Sequence, residues 1–349
     1  MVRRISNWRI WLAAASVWLG SARGADPERI KPTMEETFNI AELIKTYPPQ
    51  IRDRNKLVVY EIAHDGNTVH EGKVIVTRWQ AAGLPAELGK ASILKISSVA
   101  GFFTYDPTAM GVMAWHINFA DPDLFAFYGG PLLAQDELQV AEHPVLASVR
   151  EALVAKKLPA LTVERRLPTP VLVEGAPRRV RIRTNPDAKA GRPDGLYGNR
   201  FAAATPEVVR RAVERIEPPT VSNIIAMAAP RPGRGKYTRE ELQYVLLTAT
   251  TAFRAARERS GKDSVEIHTG FWGCGAFGGN RTVMVALQLA AAQLAGVDAL
   301  VFHAADAAGE KAFLRGREAY EAAAKGGTTE ALLTALEDSG YRWGVSDGN

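Results

Sequence analysis

Apolar and polar positions follow two different periods along this chain, and in its second half the two take turns. Thr205 is placed to cap a helix with Pro206 in its first turn, and Pro218-Pro219 is expected to stop that helix. Val221–Ala228 is an unbroken apolar run suited to a buried strand. Thr238-Arg239-Glu240-Glu241 reads as a capping box, and the helix it opens reaches Gly261. Ser264–Thr269 predicts a strand. Arg281–Ala295 predicts a helix with Val283, Met284, Leu287 and Leu294 on one face, closed by Gly296. Asp298–His303 predicts a further strand, and helices over Asp306–Lys325 and Thr328–Ser339 end the pattern. Strands alternating with helices predict an α/β fold with a mainly parallel sheet covered on both faces.

The first half is less regular. A short helix is expected around Ala41–Thr46, ended by Pro48-Pro49. Leu57–Ile62 and Lys73–Trp79 alternate apolar and polar residues around the turn signal Asp65-Gly66-Asn67, which predicts a β-hairpin. Ala91–Val99 and Val112–Phe119 are further strand candidates. Leu161–Arg183 reads as extended segments broken by Pro168, Pro170 and Pro177, and Asn185–Asn199 as a loop. Residues 26–105 therefore form an N-terminal α+β accessory region ahead of the α/β part, residues 106–349, with its C-terminal helices.

Composition narrows the function classes only a little. At 46% hydrophobic and 23% charged residues, the 349-residue chain can bury a large core. Forty-three Lys and Arg against 38 Asp and Glu leave a net charge of +5, which suits a polyanionic ligand without demanding one, and no DNA partner is expected. The single cysteine, Cys274, excludes an internal disulfide. The six histidines are dispersed in sequence, without metal-ligand spacing. Residues 1–25 carry Arg3, Arg4, Arg9 and Arg23, no acid, an apolar run Ile10–Gly20 and the small residues Ser21–Ala25. That is the composition of a secretory signal, which predicts a secreted or periplasmic protein; an organelle transit peptide, as for mitochondria, is the alternative. The mature chain holds no other segment able to span a membrane.

One segment concentrates chemistry. Gly270-Phe271-Trp272-Gly273-Cys274-Gly275-Ala276-Phe277-Gly278-Gly279-Asn280 follows a predicted strand and opens a predicted helix. Glycines there let the backbone approach a ligand, and free N–H groups with the helix dipole meet an anion, usually phosphate. Gly273-x-Gly275-x-x-Gly278 also fits a dinucleotide fingerprint, with Asp298 at about the right distance, although such a fingerprint normally lies in the first βαβ unit.

Trp272-Gly273-Cys274-Gly275-Ala276-Phe277-Gly278-Gly279 is similar, residue for residue, to the phosphate loop of poly(ADP-ribose) glycohydrolases. Asn118-Phe119-Ala120-Asp121 stands where that family has Asp-Phe-Ala-Asn, and Gln135-Asp136-Glu137, followed by Pro144, where it has Gln-Glu-Glu. The resemblance covers about residues 110–305. It implies a macrodomain, a mixed, mainly parallel sheet between helices, and hydrolysis of ribose–ribose glycosidic bonds of poly(ADP-ribose) without a metal or redox cofactor. Glu137 would be the acid/base, Asp136 would hold ribose hydroxyls, and Asp121, Gln135 and Trp272–Gly279 would line the substrate. A carboxyl of raised pKa suits the first role, since the leaving oxygen needs a proton as the oxocarbenium ion forms.

The chain differs from the family at several of these places. Phe125-Ala126-Phe127 aligns with a glycine triplet, Asp121 with an Asn, Asp136 with a Glu, Phe271 with an Asn and Ala304 with an adenine-covering Phe. Tyr197 and Phe201 are the candidates for the family's tyrosine-bearing substrate loop. Three readings stand side by side: a hydrolase of poly(ADP-ribose) or a related ADP-ribose conjugate, a module that binds an ADP-ribose-like ligand without turnover, and an interaction protein that keeps the fold alone. The sequence leaves the oligomeric state open.

Overall fold

Eight strands join into one mixed sheet in the computed structural model, which describes residues 30–66, 68–81, 83–89 and 94–346. The leader expected over 1–25 and Asn67 of the expected hairpin turn lie outside the described residues. In chain order, β1 (Pro32–Asn39) leads into helices α1 (Ile40–Thr46) and α2 (Arg54–Ala63), then strands β2 (Lys73–Trp79), β3 (Lys95–Val99) and β4 (Val112–Ala120). Helices α3 (Gln135–Glu142) and α4 (Val145–Ala155) precede a two-residue pair, β5 (Val163–Glu164) and β6 (Leu167–Pro168), and the long strand β7 (Val171–Ile182). After α5 (Arg200–Ala203) and α6 (Pro206–Ala212) come β8 (Val213–Ala228), α7 (Arg239–Ser260), β9 (Ser264–Thr269), α8 (Arg281–Ala295) and β10 (Ala299–His303). Helices α9 (Ala307–Ala323) and α10 (Thr329–Asp338) follow.

The sheet order is β1-β2-β7-β8-β4-β9-β10-β3. From β8 to β3 every neighbour is parallel, and from β1 to β8 every neighbour is antiparallel. Alternation along the strands splits the core in two. Trp115, Ile117, Val265, Ile267, Leu300 and Phe302 face a cluster built with α7 and α8, while Ile224 and Ala226 face a second cluster with Val145 and Val149 of α4. The region 26–105 supplies strands to both sheet edges, β1 and β2 on one side and β3 on the other, so its end near residue 105 follows no sheet boundary.

Two expectations are corrected. Leu57–Ile62 is helix, not the first arm of a hairpin, and β2 pairs instead with β1. The Asp53 side chain accepts from the N–H groups of Asn55 and Lys56 and so starts α2, whose buried residues Asn55, Lys56, Val58, Val59 and Ala63 recur at helical spacing. The β-branched pair Val58-Val59 imitated a strand. Pro218-Pro219 does not end a helix, because α6 stops at Ala212 and β8 runs through the prolines. The ladder with β7 passes from Arg178↔Thr220 to Val180↔Arg215, which leaves the prolines in a bulge where no strand N–H is needed.

Candidate active site

Gln135 begins α3 and is tied to the central strand β4. Its Oε1 accepts from the Phe119 N–H at 2.6 Å, and its Nε2 donates to the Ile117 carbonyl at 3.0 Å. These bonds hold the next two side chains, Asp136 and Glu137, against the carboxyl end of β4. Both are buried. Burial raises the pKa of Asp136 first, and the charge of Glu137 adds to it. Burial likewise raises Glu137, against the pull of the Lys56 charge and of its hydrogen bond from the Ala134 N–H at 3.1 Å. A carboxyl raised in this way holds its proton to higher pH than a free one, which favours proton donation. Asn118 stands beside Asp136 and its side chain pulls the Asp136 pKa down, while no other partner among the described residues reaches Asp136 Oδ1 or the Asn118 amide.

The glycine-rich segment follows β9 and leads into α8, as expected. Trp272 is fully buried and its Nε1 donates to the Met227 carbonyl at 3.0 Å, so its side chain is an anchor in the core rather than a ligand contact. Gly273 has φ +72°, and a Cβ there would stand 2.6 Å from the Ala229 Cβ. The loop carbonyls are used internally: Gly279 N–H donates to Gly273 O and Gly278 N–H to Gly275 O, each at 2.9 Å. The N–H groups of Gly275, Ala276 and Phe277 donate to no acceptor among the described residues. With the Asn280-capped start of α8 behind them, they are the kind of N–H groups that can meet an anion. Phe277 is half-buried against the core, and Ala276 is exposed. Burial pushes the Cys274 thiol up to about 12, which removes it as a nucleophile. Accordingly, iodoacetamide is expected to leave Cys274 unmodified in the native chain at pH 8 and to alkylate it in urea; equal rates would contradict this.

The carboxylates and the glycine-rich loop lie at the carboxyl ends of β4 and β9, which are parallel neighbours. A Cβ on Gly270 would lie 3.4 Å from the Phe119 ring, and the Phe119 N–H is the group that Gln135 holds. The site thus occupies the carboxyl ends of adjacent parallel strands, where α/β sheets bind their ligands.

Other expected residues are less directly placed. Asp121 Oδ1 accepts from the Asp123 N–H at 2.9 Å and shapes the turn after β4. Phe125 is fully buried in the second core cluster at φ +54°, a left-handed conformation, and Phe127 is exposed. The place aligned with a glycine triplet therefore holds one core plug and one surface ring. Phe201 is fully buried, which removes it as a substrate-loop candidate. Tyr197 stacks on Phe102 with ring centroids 5.9 Å apart and 11° between planes. The adjacent Gly198 pairs with Leu133 just before α3, and Gly101 N–H donates to Ala305 O, so this aromatic pair joins loops at the same sheet end. Ala304 is fully buried, and the Arg281 guanidinium lies 4.6 Å from the Phe271 ring centroid.

Sequence reading missed Lys56 and the convergence of four histidines. Lys56 is buried, its Nζ donates to the Tyr128 carbonyl at 3.0 Å, and burial lowers its pKa to about 8 against the pull of Glu137, Asp53 and Asp136. The Asp53 cap was its available signal. Dispersed in sequence, His116, His143, His268 and His303 converge on the sheet face that carries Asn118. His116 and His268 stack at 4.4 Å, His268 Nδ1 lies 3.1 Å from His303 Nε2, and Tyr105 touches both His116 and His143. Burial lowers His143 to about 3 and His303 to about 4, and drives His116 well below its ordinary range. Such groups fold neutral, so unfolding takes up protons below about pH 6.5. Stability is full above that pH and declines as pH falls toward 4. The raised carboxyls oppose this trend but are fewer. The melting temperature is expected to drop by several degrees from pH 7 to pH 5, with a shallower drop in His116→Leu; equal slopes would contradict the assignment.

The sequence from residue 196 to residue 311 matches the family model described as poly (ADP-ribose) glycohydrolase (PARG), macro domain fold. The match contains the glycine-rich loop but not α3. No curated protein matches the chain. Among solved structures, poly(ADP-ribose) glycohydrolase from Thermomonospora curvata is similar at 15% identity and TM-score 0.41, covering 81% of this chain and 85% of that one. The same enzyme bound to the inhibitor ADP-HPD gives 16% and 0.43, covering 79% and 97%. That from Deinococcus radiodurans in complex with ADP-ribose gives 12% and 0.39, covering 81% and 94%. Over residues 196–311, a third of the chain, the sequence is similar to the macro domain of poly(ADP-ribose) glycohydrolases.

Proposed function

We propose that the chain hydrolyses ribose–ribose O-glycosidic bonds of poly(ADP-ribose) or a related ADP-ribose conjugate. The observation that carries this reading is a buried carboxyl of raised pKa, Glu137, at the carboxyl end of β4, beside β9, the parallel strand that the Gly273–Gly279 loop follows. As an anion cradle, the loop takes the diphosphate through the N–H groups of Gly275, Ala276 and Phe277 and the start of α8. Asp136 and Asn118, which stand together, meet ribose hydroxyls. The neutral Glu137 carboxyl gives its proton to the bridging oxygen as the bond to the anomeric carbon breaks. The resulting carboxylate then takes a proton from the water that adds to the oxocarbenium carbon, which restores the acid. Lys56 and the Ala134 N–H stabilise the carboxylate between the two steps.

A second reading, ligand binding without turnover, draws on Phe125 and Phe127 standing where backbone would wrap the distal ribose. ADP-ribose release, compared between the chain and Glu137→Gln, separates the two. Residues 1–25 would export the protein toward extracellular ADP-ribose conjugates; a reporter fused behind them that stays in the cytoplasm would remove this part.

A further inference from the structure

The last described residues lie on the glycine-rich loop. Tyr341–Trp343 runs antiparallel to Gly235–Tyr237: Tyr237 N–H donates to Tyr341 O and Trp343 N–H to Gly235 O, each at 2.9 Å. The Trp343 indole stacks on the Tyr237 ring at 4.3 Å and 14°, and its Nε1 donates to Glu241 Oε2 at 3.0 Å. From this anchor the chain passes over the loop. Gly344 N–H donates to Gly278 O at 2.8 Å, and a Cβ on Gly278 would stand 3.0 Å from Ser346 N. Asn280 is gripped on two sides, with its Nδ2 donating to Arg342 O at 3.0 Å and its N–H to the Tyr237 hydroxyl at 2.8 Å.

These contacts matter for what the loop does. A segment this rich in glycine has many conformations available, and freezing them on binding costs affinity. Its outward carbonyl at Gly278 and its helix-capping Asn280 are the handles by which it can be fixed, and the strap holds both. The N–H groups on the cradle side stay free for the ligand. We propose that the segment Tyr341–Ser346 is a positioning element of the anion site, with Trp343 as its anchor. Affinity for a diphosphate-bearing nucleotide then depends on residues beyond the family match, which ends at 311. The ligand part of this inference rests on the reading of the loop under Proposed function; the part about loop order does not.

The test uses the full chain, Trp343→Ala, Trp343→Phe, and a chain ending at Trp343, which keeps the anchor and removes the contacts that Gly344–Ser346 make. Hydrogen–deuterium exchange of residues 273–280 is followed beside titration with ADP-ribose and a thermal melt. Exchange of the loop amides is expected to quicken at least tenfold in Trp343→Ala and in the shortened chain, with exchange in α7 and β9 unchanged. The dissociation constant for ADP-ribose is expected to rise at least tenfold in both. Trp343→Phe keeps the stacking and should stay within a few fold of the natural chain. If Trp343→Ala fails to fold, the shortened chain decides alone. Loop exchange unchanged in the shortened chain would overturn the proposal. Faster loop exchange in a protein that binds no ADP-ribose even with its strap would uphold the strap and sink the nucleotide reading instead.

Discussion

Glu137→Gln is expected to lower ADP-ribose release from poly(ADP-ribose) by about 10²–10⁴-fold, the usual worth of a positioned acid/base. Glutamine keeps the shape and the acceptor for the Ala134 N–H but cannot give up a proton and take it back. ADP-ribose itself should bind within a few fold of the natural chain, because binding draws on the cradle and not on proton transfer. The neighbouring change Asp136→Asn should act differently. Asp136 is raised in the folded chain, so its ionisation opposes folding as pH rises above the ordinary carboxylate range. Asparagine removes that cost and should raise the melting temperature at pH 8 more than at pH 5. Release is measured as free ADP-ribose over time, and binding by titration calorimetry. Equal loss of release and binding in Glu137→Gln would show a structural role for Glu137 rather than proton transfer.

Gly273→Ala is expected to cost about 2–5 kcal/mol of stability and most of the affinity for ADP-ribose. The left-handed φ of +72° costs a non-glycine residue roughly 1–2 kcal/mol, and crowding of a full core a further 1–3 kcal/mol or so. The new Cβ would meet the Ala229 Cβ at 2.6 Å and the Met284 Cε at 3.2 Å, and neither strand nor helix can yield without moving the cradle. Denaturant melts read the first effect and ADP-ribose titration the second. Ala276→Gly, on the exposed crest of the same loop, should leave stability nearly unchanged. A Gly273→Ala protein of natural stability and affinity would mean that the loop is looser than its packing indicates.

The parts legible in the sequence are those where local chemistry and tertiary packing agree. The Thr238 capping box opens α7 where expected, and the apolar period of Arg281–Ala295 gives α8 to the residue. Ser264–Thr269 gives β9 to the residue, with the glycine-rich segment between it and α8 as expected. Signals failed where long-range partners decide. β1 alternates intermediate and exposed positions at the sheet edge, which leaves little apolar pattern to read. Val58-Val59 imitates a strand until the Asp53 cap is weighed. The four converging histidines come from the cap after α3 and from three separate strands, and only the sheet order brings them together. Lys56 and Trp343 are distant in sequence from the elements they support, so no spacing rule announces them. Phe125 shows the converse, a glycine-like φ retained under a side chain that now fills the core.

The central claim is hydrolysis, and free ADP-ribose released from poly(ADP-ribose) by the purified chain tests it most directly. The account predicts release by the natural chain and background levels from Glu137→Gln at matched protein concentration. A folded natural chain that binds ADP-ribose yet releases none from the polymer would contradict it and leave a binding module in its place.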